Sequence, residues 1–188
     1  MNPQNLSDLF YALPILPPYR RLPAHQVDDP MSLLEDFYAA DLHTYPQNYQ
    51  VEYDKLKAAL ESYPEGFTLL QVQTSQGWLP AGYTALHFID PGPPRLPLSP
   101  TAATEKSWLY IFNYSAHPRF HHSPLTRDLL KSLATQLENL PFPRVAATVS
   151  PDGERIARRL GLRPIQTLVW EGHPWLWWES GQSDRGAL

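Results

Sequence analysis

Between Met31 and His43 the apolar residues Leu33, Leu34, Phe37 and Tyr38 recur three and four positions apart, the spacing of one helix face. Asp28-Asp29-Pro30 stands just ahead, with carboxylates and a proline where a first turn accepts them. Tyr49, Tyr53, Leu56 and Leu60 repeat the period and predict a second helix, closed by Pro64 and Gly66. The pattern then changes to strand-like runs. Phe67 to Gln73, the turn Ser75-Gln76-Gly77, and Leu79 to Ile89 predict an antiparallel hairpin. Trp108 to Ser115 is rich in aromatic and β-branched residues and predicts a further strand. Ser123-Pro124 opens a third helix, with a hydroxyl at the N-cap and Leu125, Leu129, Leu130, Leu133 and Leu137 along one face. Arg144 to Ser150 reads as a short strand. Pro151-Asp152-Gly153 opens a fourth helix that Gly161 caps, and Pro164 to Trp170 and Trp175 to Trp178 read as two last strands.

Composition narrows the class. The chain has 188 residues, enough for one domain with a sizeable core, and at 43% hydrophobic it is too apolar for a disordered segment. No apolar run approaches the roughly 20 residues that span a bilayer, and Pro14, Pro17 and Pro18 interrupt the only apolar stretch near the start. A soluble, cytoplasmic protein is expected. With no cysteine, disulfides, thiolate metal sites and cysteine nucleophiles are excluded together. The 21 prolines, about twice the usual share, concentrate at 14–23 and 90–100, where they predict irregular segments.

Charge is lopsided. Residues 1–100 carry 5 basic and 11 acidic side chains, residues 101–188 carry 10 and 8. Basic residues are not interleaved with aromatics, which argues against nucleic acid as a partner. His117, His121 and His122 put three imidazoles in six residues, but no Asp, Glu or Cys completes a familiar ligand spacing, so no metal is expected. Four tryptophans, Trp170, Trp175, Trp177 and Trp178, fall within nine residues and suit a core or a homodimer interface.

The order of elements, taken with particular residues, resembles the GNAT N-acetyltransferase superfamily. Tyr19-Arg20-Arg21-Leu22 looks like its opening strand, Ala81-Gly82-Tyr83 like its third strand, and Tyr110 to Pro118 (YIFNYSAHP) like its fourth, which ends in V-x-P. Ile156 to Leu162 (IARRLGL) is similar to its last helix. The match covers residues 19–178. It implies an α+β fold: a central mixed, mostly antiparallel sheet of about six or seven strands flanked by about four helices. Residues 1–18 would be an N-terminal extension, 19–179 one domain, and 180–188 a flexible tail.

The resemblance also implies acetyl-CoA, or another acyl-CoA, as co-substrate, and an amine-bearing small molecule or peptide as acceptor. Its phosphate loop, R/Q-x-x-G-x-G/A, falls on His121-His122-Ser123-Pro124-Leu125-Thr126, with Pro124 at the first glycine and Thr126 at the second small residue. Cofactor contacts are therefore expected from Ser115, Ala116, His121, His122, Ser123, Leu125, Thr126 and Arg127. His87 and Tyr114, polar groups on adjacent central strands, are the expected catalytic residues, facing the acceptor amine. The family's thiolate-protonating tyrosine is replaced by Ala157. An N-acyltransferase working by direct transfer is the expected function. The alternatives are a non-catalytic binding protein on the same fold and an acyltransferase with a carrier-protein donor.

Overall fold

The computed structural model describes residues 9–14, 16–44, 50–91, 100–101, 103–104, 107–139, 144–149, 153–170 and 173–180. Tyr49, most of the proline-rich segment at 90–100, the Ser150-Pro151-Asp152 turn, and all of the expected tail beyond Ser180 lie outside them.

Seven strands form one sheet: β1 (Tyr19–Pro23), β2 (Thr68–Thr74), β3 (Gly77–Ile89), β4 (Trp108–Ala116), β5 (Val145–Val149), β6 (Leu162–Trp170) and β7 (His173–Ser180). Their spatial order is β1-β2-β3-β4-β5-β7-β6, and every neighbouring pair is antiparallel except β4 with β5. Parallel strands need a crossover, and the helix after β4 supplies it. The expected α+β architecture is the one observed.

Helix α1 (Leu34–Thr44) is preceded by a 3-10 turn over Pro30–Leu33, whose start is capped by the Asp29 carboxylate accepting the Met31 N–H at 3.0 Å. Helix α2 spans Tyr53–Ser62. Just ahead of it the Val51 N–H donates to the Asp41 carboxylate at 2.7 Å. Leu34, Phe37 and Ala40 of α1 pack with Leu56, Ala59 and Leu60 of α2 over Leu69, Tyr83 and Ala85. Helix α3 (Pro124–Asn139) buries Leu125, Leu129 and Leu133 on the opposite face, and the short helix α4 (Glu154–Arg159) buries Ala157 there. Gly161, at φ 73°, ends α4 as expected of a glycine cap.

Two cores thus sandwich the sheet. Trp177 and Trp178, adjacent on β7, point to opposite sides and are both fully buried: Trp177 packs with Trp108 and Tyr110, Trp178 with the α3 and α4 core. Ahead of β1, residues 9–12 are helical and send Phe10 into the α3 core with no exposed surface. No helix among the described residues is long and apolar enough to cross a membrane.

Candidate active site

The site begins with a gap in the sheet. β4 pairs with β3 over its whole length, from Ile89↔Trp108 to Gly82↔Ala116, but with β5 only from Leu109↔Val145 to Ile111↔Ala147. Beyond Ile111 no described strand borders the β5 side of β4. A bulge is the local cause: the register steps from Ala85↔Asn113 to Leu86↔Ile111, so Phe112 is an extra residue, and an extra residue bends and over-twists its strand. At the tip, Gly82 lets β3 follow the bent strand. A Cβ there would stand 2.3 Å from the Ser115 carbonyl oxygen and 2.7 Å from the Ala116 Cα. The His117 N–H donates to the Ala81 carbonyl at 2.7 Å. Backbone groups alternate along a strand, so Ala116 and Tyr114 turn theirs to the open side while Ser115 turns its own to β3.

Side chains on the two faces differ. On the α1 and α2 face, the His87 ring lies 5.2 Å from the rings of both Tyr110 and Phe112. Its Nδ1 is 3.1 Å from the Phe88 carbonyl, which can only accept, so Nδ1 carries the hydrogen and Nε2 presents a lone pair. That Nε2 is buried without a partner, and burial lowers the imidazole to about 4 despite the backbone bond. Tyr110 is hydrogen-bonded to Thr148 on β5, spanning the two strands where they part.

Tyr114 lies on the other face. Its hydroxyl donates to the Thr126 carbonyl at 2.9 Å, and burial pushes it up to about 12. The expected pair His87 and Tyr114 is therefore divided by the sheet. The register explains why: the bulge at Phe112 shifts every later β4 side chain by one, so Tyr114 falls opposite Thr84, beneath α3.

A carboxylate that sequence reasoning passed over stands at the centre. Asp41 is fully buried. Its Oδ1 accepts from the Tyr83 hydroxyl and the Asn113 Nδ2, each at 2.8 Å, and its Oδ2 accepts from Val51. Burial raises its carboxyl from 3.8 to about 6, against the lowering effect of those three donors. A signal was present: Asp41 follows Leu34 and Phe37 at helical spacing on the apolar stripe of α1, where a carboxylate needs partners.

The loop between β4 and α3 carries the other expected contacts. Pro118–Phe120 forms a 3-10 turn, followed by His122 at φ 63°, a left-handed conformation that histidine adopts more readily than most residues. His121 turns back, its Nε2 donating to the Ala116 carbonyl at 3.0 Å. The Ser123 hydroxyl has no partner, so the expected side-chain cap is not made; the Thr126 hydroxyl instead donates to the Ser123 and Phe120 carbonyls at 3.0 and 3.3 Å. The Arg127 N–H is bonded to the Ser123 carbonyl. The first-turn N–H groups of Leu125 and Thr126 and the positive end of α3 are what this loop offers an anion. The N-terminal segment braces it: Phe10 lies 4.7 Å from the His117 ring and 5.6 Å from Phe120, and Arg119 Nη2 donates to the Leu13 carbonyl at 3.2 Å. Burial, then His43 and His121, lowers His117 to about 4. Among the described residues no three of His, Asp and Glu stand where they could hold a metal ion.

No protein-family model matches the chain, and no curated protein matches it in sequence. Solved structures do match its fold. The loading GNATL domain of CurA from Lyngbya majuscula aligns at a TM-score of 0.63 and 14% identity, covering 88% of this chain and 97% of that one. The GphF GNAT-like decarboxylase in complex with isobutyryl-CoA aligns at 0.63 and 12% identity over 88% and 99%. The ribosomal-protein-S18-alanine N-acetyltransferase of Escherichia coli aligns at 0.56 and 11% identity over 87% and 93%. At these identities the likeness establishes the fold, and the fold is that of the GNAT superfamily.

Proposed function

We propose that this GNAT-fold chain is an acyl-CoA-dependent acyltransferase, with acetyl as the acyl group and an amine of a small molecule or peptide as acceptor. The observation that carries the reading is the opening between β4 and β5 beyond Ile111, to which Ala116 turns its backbone. There the pantetheine arm can replace the missing strand, with His121 releasing the Ala116 carbonyl to it. The pyrophosphate would lie against Leu125 and Thr126, near the exposed side chains of His122 and Arg127.

A backbone N–H of β4 then polarises the thioester carbonyl, and the neutral amine attacks from the α1 and α2 face. The new C–N bond forms as the C–S bond breaks. The lone pair of His87 Nε2 receives the amine hydrogen as a hydrogen bond, and the proton leaves to water. The thiolate takes its proton from solvent, since Ala157 has none to give. Tyr114 acts here through its backbone, its hydroxyl tying β4 to α3. Any homodimer would use the outer strand β6, where Ile165 and Val169 are 57% and 75% exposed.

Calorimetric titration with CoA and acetyl-CoA, repeated on Thr126→Trp, tests the cofactor site, and thiol release with a panel of amines tests turnover. Micromolar binding lost in the variant supports the reading. A parent chain that binds neither nucleotide sinks it.

A second reading rests on Ala157. Loss of carboxylate from a 2-carboxyacyl-CoA breaks a C–C bond, leaves its electron pair as an enolate held by the same backbone N–H, and ends with a proton on carbon. The thioester survives, so no thiolate needs an acid. Carbon dioxide release from malonyl-CoA without thiol release would favour it over transfer.

A further inference from the structure

Three parts of the site that are far apart in sequence end on one buried carboxylate. Asp41 belongs to α1. Tyr83 belongs to β3, on the same face as α1. Asn113 is the first residue after the bulge that turns β4 away from β5, and Val51 stands two residues ahead of α2. The carboxylate therefore joins Val51, just ahead of α2, to the stretch of β4 beyond the bulge.

We propose that Asp41 is a positioning residue, whose carboxylate couples Val51 at the entry to α2 to the bulged end of β4 so that acceptor and thioester are held in one frame. This rests on the acyl-transfer reading for its chemistry, though not for the coupling itself. Asp41 is fully buried, with Oδ1 engaged by two side-chain donors and Oδ2 by one backbone donor, and it acts through these donors rather than on a reactant. Protonation gives one oxygen an O–H donor and weakens both as acceptors, so the neutral carboxyl holds its three donors less firmly than the anion does. The groups facing it are the Val51 N–H, the Tyr83 hydroxyl from β3 and the Asn113 amide from β4; its ionisation is set by burial and these three donors. No cation is among them. Each of the three lowers the carboxyl, so removing one must raise it further.

The test combines kinetics with a signal that does not depend on turnover. In the whole chain, the amide resonance of Val51 is followed from pH 4.5 to 8, together with the pH profile of kcat/KM. The coupling predicts a Val51 titration near pH 6 and an acid limb of activity at the same place. Asp41→Asn should abolish both, lower kcat/KM at pH 7 at least tenfold, and leave CoA affinity within threefold. Asn113→Ala, which removes one donor and no charge, should move the Val51 titration and the acid limb to higher pH. That displacement separates positioning from a loss of fold.

A Val51 resonance flat through this range, or an acid limb that Asn113→Ala leaves in place or moves down, overturns the proposal. Turnover of Asp41→Asn with the parent's rate and profile does the same. If the parent chain turns over no acyl-CoA while Val51 still titrates near pH 6, acyl transfer fails and the coupling stands.

Discussion

Replacing His87 by Phe should make the protein less sensitive to acid, and the size of the effect follows from three buried groups. His87 and His117, with 0% and 2% of their surface exposed, are both held from 6.5 down to about 4. Their neutral forms are the folded ones. As pH falls through 6.5 the unfolded chain takes up protons that the folded chain refuses, so stability is lost between about 6.5 and 4. At about 1.4 kcal/mol for each tenfold difference in proton affinity, each imidazole costs roughly 2–3 kcal/mol on going from pH 7 to 4.5. Asp41 acts the other way. Its carboxyl is raised from 3.8 to about 6, so the folded chain holds a proton more tightly, and acidification through 6 contributes about 2 kcal/mol. The net for the parent is a loss of about 3 kcal/mol from these three groups. In His87→Phe one loss is removed and the other two groups nearly cancel. Phenylalanine can occupy the edge-to-face position between Tyr110 and Phe112, and the Phe88 carbonyl keeps its bond from the Thr101 N–H at 2.8 Å, so the variant should fold at pH 7. Urea denaturation of both proteins at pH 7, 5.5 and 4.5 measures the difference directly, because surface carboxylates contribute equally to each. Equal losses of stability in parent and variant between pH 7 and 4.5 would refute the reasoning.

Gly82→Ala should cost about 2–3 kcal/mol of stability and weaken CoA binding together, since its Cβ meets backbone atoms of Ser115 and Ala116 rather than a side chain that can move; an unchanged urea midpoint would count against the close approach. Phe10→Ala should cost about 3 kcal/mol and let the His117 imidazole return toward 6.5, which NMR titration of its ring protons would follow. Tyr114→Phe should retain most turnover while losing about 1 kcal/mol, because its hydroxyl serves the Thr126 carbonyl; a loss of activity beyond a hundredfold with affinity intact would return Tyr114 to the chemistry.

Periodicity by itself determined the elements. Helix α3 lies where Leu125, Leu129 and Leu133 recur, and the strands at 68–74, 77–89 and 108–116 follow the apolar runs and their turn, because both signals are local consequences of which side chains share a face. The glycine at 82 and the proline at 118 were also legible as members of a strand and its end. Function was less so. A bulge is one unpaired residue, and nothing in WLYIFNYS marks Phe112 as the extra one; only its pairing with β3 decides that Asn113 joins Asp41 while Tyr114 turns beneath α3. The gap between β4 and β5 is likewise a property of two strands whose paired residues, such as Leu109 and Val145, are far apart in sequence. Asp41 could be flagged as a charge on an apolar stripe, but its three donors come from the α1 to α2 connection, β3 and β4. Burial and long-range pairing set its ionisation, and both exist only once the chain has folded.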